Sequence, residues 1–193
     1  AQADPDQDET TERDGASARV ARGLASRDPL ERQSAAEELA RRGATTQQRL
    51  VEGYRLQEKD ARVRLALDWA LYRMGKTETL FAIVRNLEGS RRNQAASYLK
   101  QLEGPEPLYL FLDRAQDEIK IYLIEALASL GNAGTLQRLE PYTSSYDPRI
   151  ANAAQFALRE ITRRETQPSD QATRPRQTGK IEKTEDEATE EAP

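Results

Sequence analysis

The sharpest chemical pairing in the chain is Asp68 beside Trp69, in the stretch DARVRLALDWALYRMG at positions 60–75. A carboxylate next to an indole could stabilise a developing cation while the ring stacks on a flat ligand. The same carboxylate lies four residues after Arg64, the spacing of a helical ion pair, and could equally meet a basic residue of a neighbouring segment. The structural pairing is favoured, because little else could join Asp68 in chemistry. The sequence contains no histidine and no cysteine, which removes imidazole bases, thiol nucleophiles and the usual transition-metal ligands. Catalysis would have to rest on carboxylate, Tyr, Lys or Ser, and no second pair of that kind stands out. The expectation is a protein that is not an enzyme, with no catalytic residue, metal site or cofactor.

The elements that position these residues follow from periodicity. Within 60–75, Val63, Leu67, Leu71 and Met74 form one apolar stripe of a helix, and Leu65, Trp69 and Tyr72 form a second. A helix facing one core and one solvent should carry only one. Placing Leu39, Leu71, Leu99, Leu127 and Leu158 in register aligns five segments without a gap. Eleven residues earlier come Asp28, Asp60, Glu88, Gln116 and Asp147, and seven earlier come Arg32, Arg64, Arg92, Lys120 and Ala151. Acid or amide before the first turn accepts from free N–H groups, and Pro29 and Pro148 preset that turn. Gly43, Gly75 and Gly131 stand where a left-handed residue would end the helix. Between the aligned helices lie shorter segments with their own 3.6-residue period, including TTQQRLVEGYRLQ, TETLFAIVRNLE and PEPLYLFLDRAQ. The chain therefore reads as all-α, about five antiparallel helix pairs of roughly 30 residues each.

DPLERQSAAEELARRG, DARVRLALDWALYRMG and DPRIANAAQFALREI resemble the second helix of HEAT repeats, in the short form of the HEAT-like repeats of phycobilisome lyases. The resemblance covers about residues 19–165. The middle copies depart from it: Lys120 replaces the arginine, and the third copy lacks both the Asp and the aliphatic residue before Arg92. It implies an α-solenoid, a HEAT-like or armadillo-type superhelix, with the first helices on the convex side and the second helices on the concave side. Such arrays leave extended surfaces that bind other molecules.

Composition bounds the rest. Residues 1–18 carry net −5, residues 19–165 net +4 and residues 166–193 net −3, which sum to the −4 of the whole chain. Both end segments are polar and nearly without aliphatic residues, so 1–18 and 166–193 read as disordered acidic tails around the repeat domain. Basic doublets at Arg41–Arg42, Arg91–Arg92 and Arg163–Arg164 share their helices with acids, so a solvated face is favoured over nucleic-acid binding. No apolar run is long enough for a membrane span. The AQA start without Met reads as a processed, exported or periplasmic protein, or equally as an arbitrary chain boundary with a cytoplasmic location. Oligomeric state is not encoded in anything legible.

Positions six before, two before and one after each register leucine point away from the core stripe. There the second helix holds Leu65, Trp69 and Tyr72, the fourth Ile121 and the fifth Phe156, whereas the third is polar. Two readings remain open. Neighbouring segments cover this stripe, or Leu65, Trp69, Tyr72, Ile121 and Phe156 form a partner-binding groove for a helix or extended peptide of another protein. The second is favoured, and with it a non-enzymatic interaction scaffold. The alternative is a HEAT-like bilin lyase or chaperone subunit, or a glycosylase-like nucleic-acid-binding protein in which Asp68 and Trp69 act.

Overall fold

The computed structural model describes residues 5–167, with side chains from residue 12 onward. It is all-helical, and no strand occurs among the described residues. Among the described residues ten α-helices follow in order: α1 Pro5–Ala21, α2 Pro29–Arg42, α3 Gln48–Gln57, α4 Ala61–Arg73, α5 Leu80–Arg85, α6 Arg92–Leu99, α7 Glu106–Leu112, α8 Asp117–Leu130, α9 Ala133–Leu139 and α10 Pro148–Thr166. Even-numbered helices are the five aligned segments. They pack on one another in chain order, α2 on α4, α4 on α6, α6 on α8 and α8 on α10, and each odd-numbered helix lies against the even one that follows it.

The starts and stops have local causes. Asp28 accepts from the amide of Leu30 at 2.9 Å, Asp60 from Arg62 at 2.8 Å, and Asp147 from Arg149 at 2.8 Å. Helix α6 has no such acceptor: Glu88 falls in the preceding 3-10 turn, Arg91 occupies the cap position, and the helix is only eight residues long. Gly43 (φ 57°) and Gly75 (φ 102°) take the left-handed conformation expected of helix-ending glycines. Gly131 does not. Its φ is −63° and ψ is 154°, and a Cβ there would lie 2.6 Å from the Leu127 carbonyl oxygen and 2.5 Å from Ile161 Cδ1. Glycine is needed at 131 for the close approach of α10 to the end of α8. Gly131→Ala is expected to cost about 1–3 kcal/mol, read as a lowered midpoint in thermal unfolding followed by circular dichroism.

The shared stripe forms the core. Leu39, Leu71, Leu99 and Leu127 are buried, as are Ala35, Leu67, Ala95, Leu123 and Ala154 four residues earlier, while Leu158 at the end of the series is half-buried. Of the N-terminal segment, the residues from Pro5 onward belong to α1. Ser17 and Ala21 are buried where α1 meets α2 and the turn Arg22–Ala25, and Thr46 Oγ1 donates to Asp14 Oδ1 at 3.2 Å. The small residues Ala16, Ser17 and Ala21 let an otherwise polar helix dock at its C-terminal end. The acidic segment from 168 onward lies outside the described residues. No helix among the described residues is long and apolar enough to cross a membrane.

Candidate functional site

The second apolar stripe of α4 is sealed. Leu65 and Trp69 are each only 2% exposed. Trp69 stacks with Tyr72 one turn along (ring centroids 5.6 Å, planes 17° apart) and with Tyr98 of α6 (5.4 Å, 4°). The Arg73 guanidinium lies 5.8 Å from the indole centroid. Tyr98 is held by bonds on both sides: its hydroxyl donates to Glu37 Oε1 on α2 at 2.6 Å and accepts from Gln94 Nε2 at 2.8 Å. Gln94 also donates to the Arg62 carbonyl of α4 at 3.0 Å, and Gln33 donates to Glu37 at 2.9 Å. Helix α6 thus reaches over α4 to α2 and closes the face that carries Trp69. Burial, with the Glu37 carboxylate as a second cause, pushes the Tyr98 hydroxyl far above its ordinary pKa, so it remains a donor.

The expectation that Leu65 and Trp69 line an open groove is therefore corrected. These residues sit on the side of α4 away from the shared stripe, and for Trp69 that direction leads to Tyr98 of α6 and not into solvent. Tyr72 is half-buried against the indole. Ile121 and Phe156 lie apart from the other three, in a shallow depression of about 630 Å³ between α8 and α10. Ile121 is half-buried and Phe156 is 50% exposed. Lys100, Glu125, Arg149 and Arg164 share the lining, so charged groups crowd the apolar side chains there.

Asp68 is buried, and its partner is Arg55 of α3, whose Nε donates at 2.8 Å. Desolvation raises the Asp68 pKa and the Arg55 guanidinium opposes that rise. Arg64 instead donates to the Glu58 carbonyl oxygen. The Asp68 carboxylate is thus bonded to Arg55, and the neighbouring indole is stacked on two tyrosines. Two arginines join neighbouring segments, Arg32 of the recurring column and Arg149 outside it. Arg32 grips Glu58 through two bonds, Nε to Oε2 at 2.8 Å and Nη2 to Oε1 at 3.0 Å, and Arg149 reaches Glu118 at 3.1 Å.

The Arg32–Glu58 pair has a pH signature. Hydrogen bonding to Arg32 holds the Glu58 carboxyl below its ordinary value. Because the folded pKa is the depressed one, the stabilisation is fully present above the ordinary carboxylate pKa and is lost as pH falls through the folded value. Glu58→Gln is expected to cost about 1–3 kcal/mol at pH 7. In urea unfolding, its deficit against the unmodified chain should narrow by pH 3.

The open apolar surface lies on the odd-numbered helices. A cleft of about 990 Å³ runs between α5 and α7 and reaches α9. Phe81 and Leu110 stand on its walls, 63% and 77% exposed, with Val84, Phe111 and Ile119 behind them. The Phe81 and Phe111 rings are 6.4 Å apart and tilted by 39°. One wall is braced: the Tyr109 hydroxyl shares a 2.6 Å hydrogen bond with Thr135, and the Arg138 guanidinium sits 4.3 Å from the Tyr109 ring centroid. Arg85, Glu88, Glu106 and Arg114 rim the cleft and make no ion pair among the described residues.

No protein-family model matches the chain. No curated protein matches it either. The site must therefore be judged on its own geometry. It has an apolar floor, aromatic walls and charges only at the edge, and among the described residues no cluster of acidic side chains could hold a metal ion.

One signal of this cleft was present in the sequence. Leu108 to Leu112 is an unbroken apolar run on a helix of seven residues. Leu108 and Leu112, four apart, fill the core. Leu110, between them, must then face away.

Proposed function

We propose that the protein is a non-enzymatic interaction module, a HEAT-like α-solenoid that binds a segment of another protein. What supports the solenoid is the recurrence of five helix pairs and the packing of each even-numbered helix on the next. The observation that carries the binding function is the open cleft between α5 and α7. It leaves Phe81 and Leu110 in solvent while every other large apolar residue of those two helices is at least partly covered. The binding face proposed is thus that of the first helices, in place of the sealed stripe on α4.

A benzophenone amino acid placed at position 110 tests this in an extract of the source cell, with position 159 on the polar face of α10 as control. A discrete adduct from 110 and none from 159 is the expected result. No adduct at 110, or equal labelling at both, would contradict the reading.

A further inference from the structure

We propose that the occupant is an amphipathic α-helix of a protein partner, lying across α3, α5 and α7 along Leu56, Phe81 and Leu110. This rests on the reading that the cleft binds a protein segment. Phe81 is a shared wall: it lines the α5–α7 cleft and also a second depression of about 420 Å³ that Leu56 borders from α3. Leu56 is exposed, like Phe81 and Leu110, so three successive first helices each raise one large apolar side chain along one run. Packed helices lie about 8–10 Å apart, which makes the run about 20 Å long. An α-helix rises about 10.5 Å per heptad, so apolar residues one heptad apart meet successive anchors.

Charge and area narrow the choice of partner. In the second depression the acids Glu52 and Asp68 are already paired with Lys76 and Arg55. The charges along the run that make no ion pair among the described residues are Glu78, Arg85, Glu88, Glu106, Asp113, Arg114 and Arg138. Four acids among three bases do not favour a phosphate chain or an anionic bilayer, whereas a helix with both signs on its flanks finds partners for each. A strip about 20 Å by about 10 Å, one helix wide, falls well short of the ~800 Å² per partner that a stable dimer buries. A second folded copy of the chain is therefore a poor fit.

The test is to pan a random 16-residue peptide library on the full chain, with counter-selection against Phe81→Ser. The expected enriched peptides carry apolar residues at i, i+7 and i+14 with charges of both signs. They gain helical circular dichroism on binding and lose at least tenfold in affinity to Leu56→Ser and to Leu110→Ser. Phe81-dependent peptides that are proline-rich, alternate like a strand, carry one sign of charge only or ignore Leu56→Ser would overturn the helix while leaving the cleft as a peptide site. If no Phe81-dependent peptide is enriched, both readings fail. All three side chains are exposed, so the variants are expected to keep the helical spectrum of the unmodified chain.

Discussion

Trp69→Ala is expected to lower the stability of the fold by about 3–5 kcal/mol. The indole is buried, stacked on Tyr72 of its own helix and on Tyr98 of α6. Removing it leaves a cavity and frees Tyr98 from the ring that orients it, although the Tyr98 hydroxyl could still reach Glu37. Against a total of about 5–15 kcal/mol for an ordinary domain, that loss should appear as a sharply lowered urea midpoint. Trp69→Phe keeps an aromatic plane at the same place and should lose much less. Were Trp69 a surface anchor for a ligand, the alanine variant would instead keep its stability and lose only binding.

The opposite pattern is expected of Phe81→Ser combined with Leu110→Ser. Both side chains stand mostly in solvent, and exposed substitutions of this kind typically change stability by no more than about 0.5 kcal/mol. Buried at an interface, each aromatic or aliphatic anchor is worth about 2 kcal/mol or more. Loss of both should therefore weaken capture of a partner segment by at least two orders of magnitude. Equilibrium binding of a fluorescent partner peptide to the two proteins measures the difference, with circular dichroism confirming that the fold is unchanged. The separation between stability and binding distinguishes the cleft from the sealed stripe, because Trp69→Ala and the double substitution should fail in different assays.

The helices were legible because the signals that set them are local. Asp28, Asp60 and Asp147 cap their own helices, Gly43 and Gly75 turn the chain by their own φ, and the register leucines face inward at a fixed period. The sealing of Trp69 was not legible in the same way. It depends on Tyr98, which lies 29 positions further on, and on Glu37, 32 positions back, meeting across α4. Helical spacing gives a direction for each side chain and says nothing of what stands in that direction. The two alternatives for the stripe could only be separated by the packing of α2, α4 and α6 together.

Gly131 shows the same limit. Its position after α8 suggested a conformational stop, yet the residue is extended and its smallness serves the contact with Ile161. Ile121 and Phe156 lie on faces that α8 and α10 leave partly open, and Lys100, Glu125, Arg149 and Arg164 crowd the depression between them. The cleft on α5 and α7 was missed for a different reason. Its signal lies in PEPLYLFLDRAQ, a short segment outside the register of the five aligned helices, where five apolar residues in succession exceed what one buried face can hold.

Hydroxyl-radical footprinting, with and without a bound partner peptide, bears most directly on the claim that the open cleft, and not the aromatic stripe of α4, is the binding face. In the free protein Phe81 and Leu110 should be oxidised readily and Trp69 hardly at all, and binding should protect Phe81 and Leu110 while leaving Trp69 as it was. Ready oxidation of Trp69 and Tyr72 in the free protein, with protection on binding, would contradict the account.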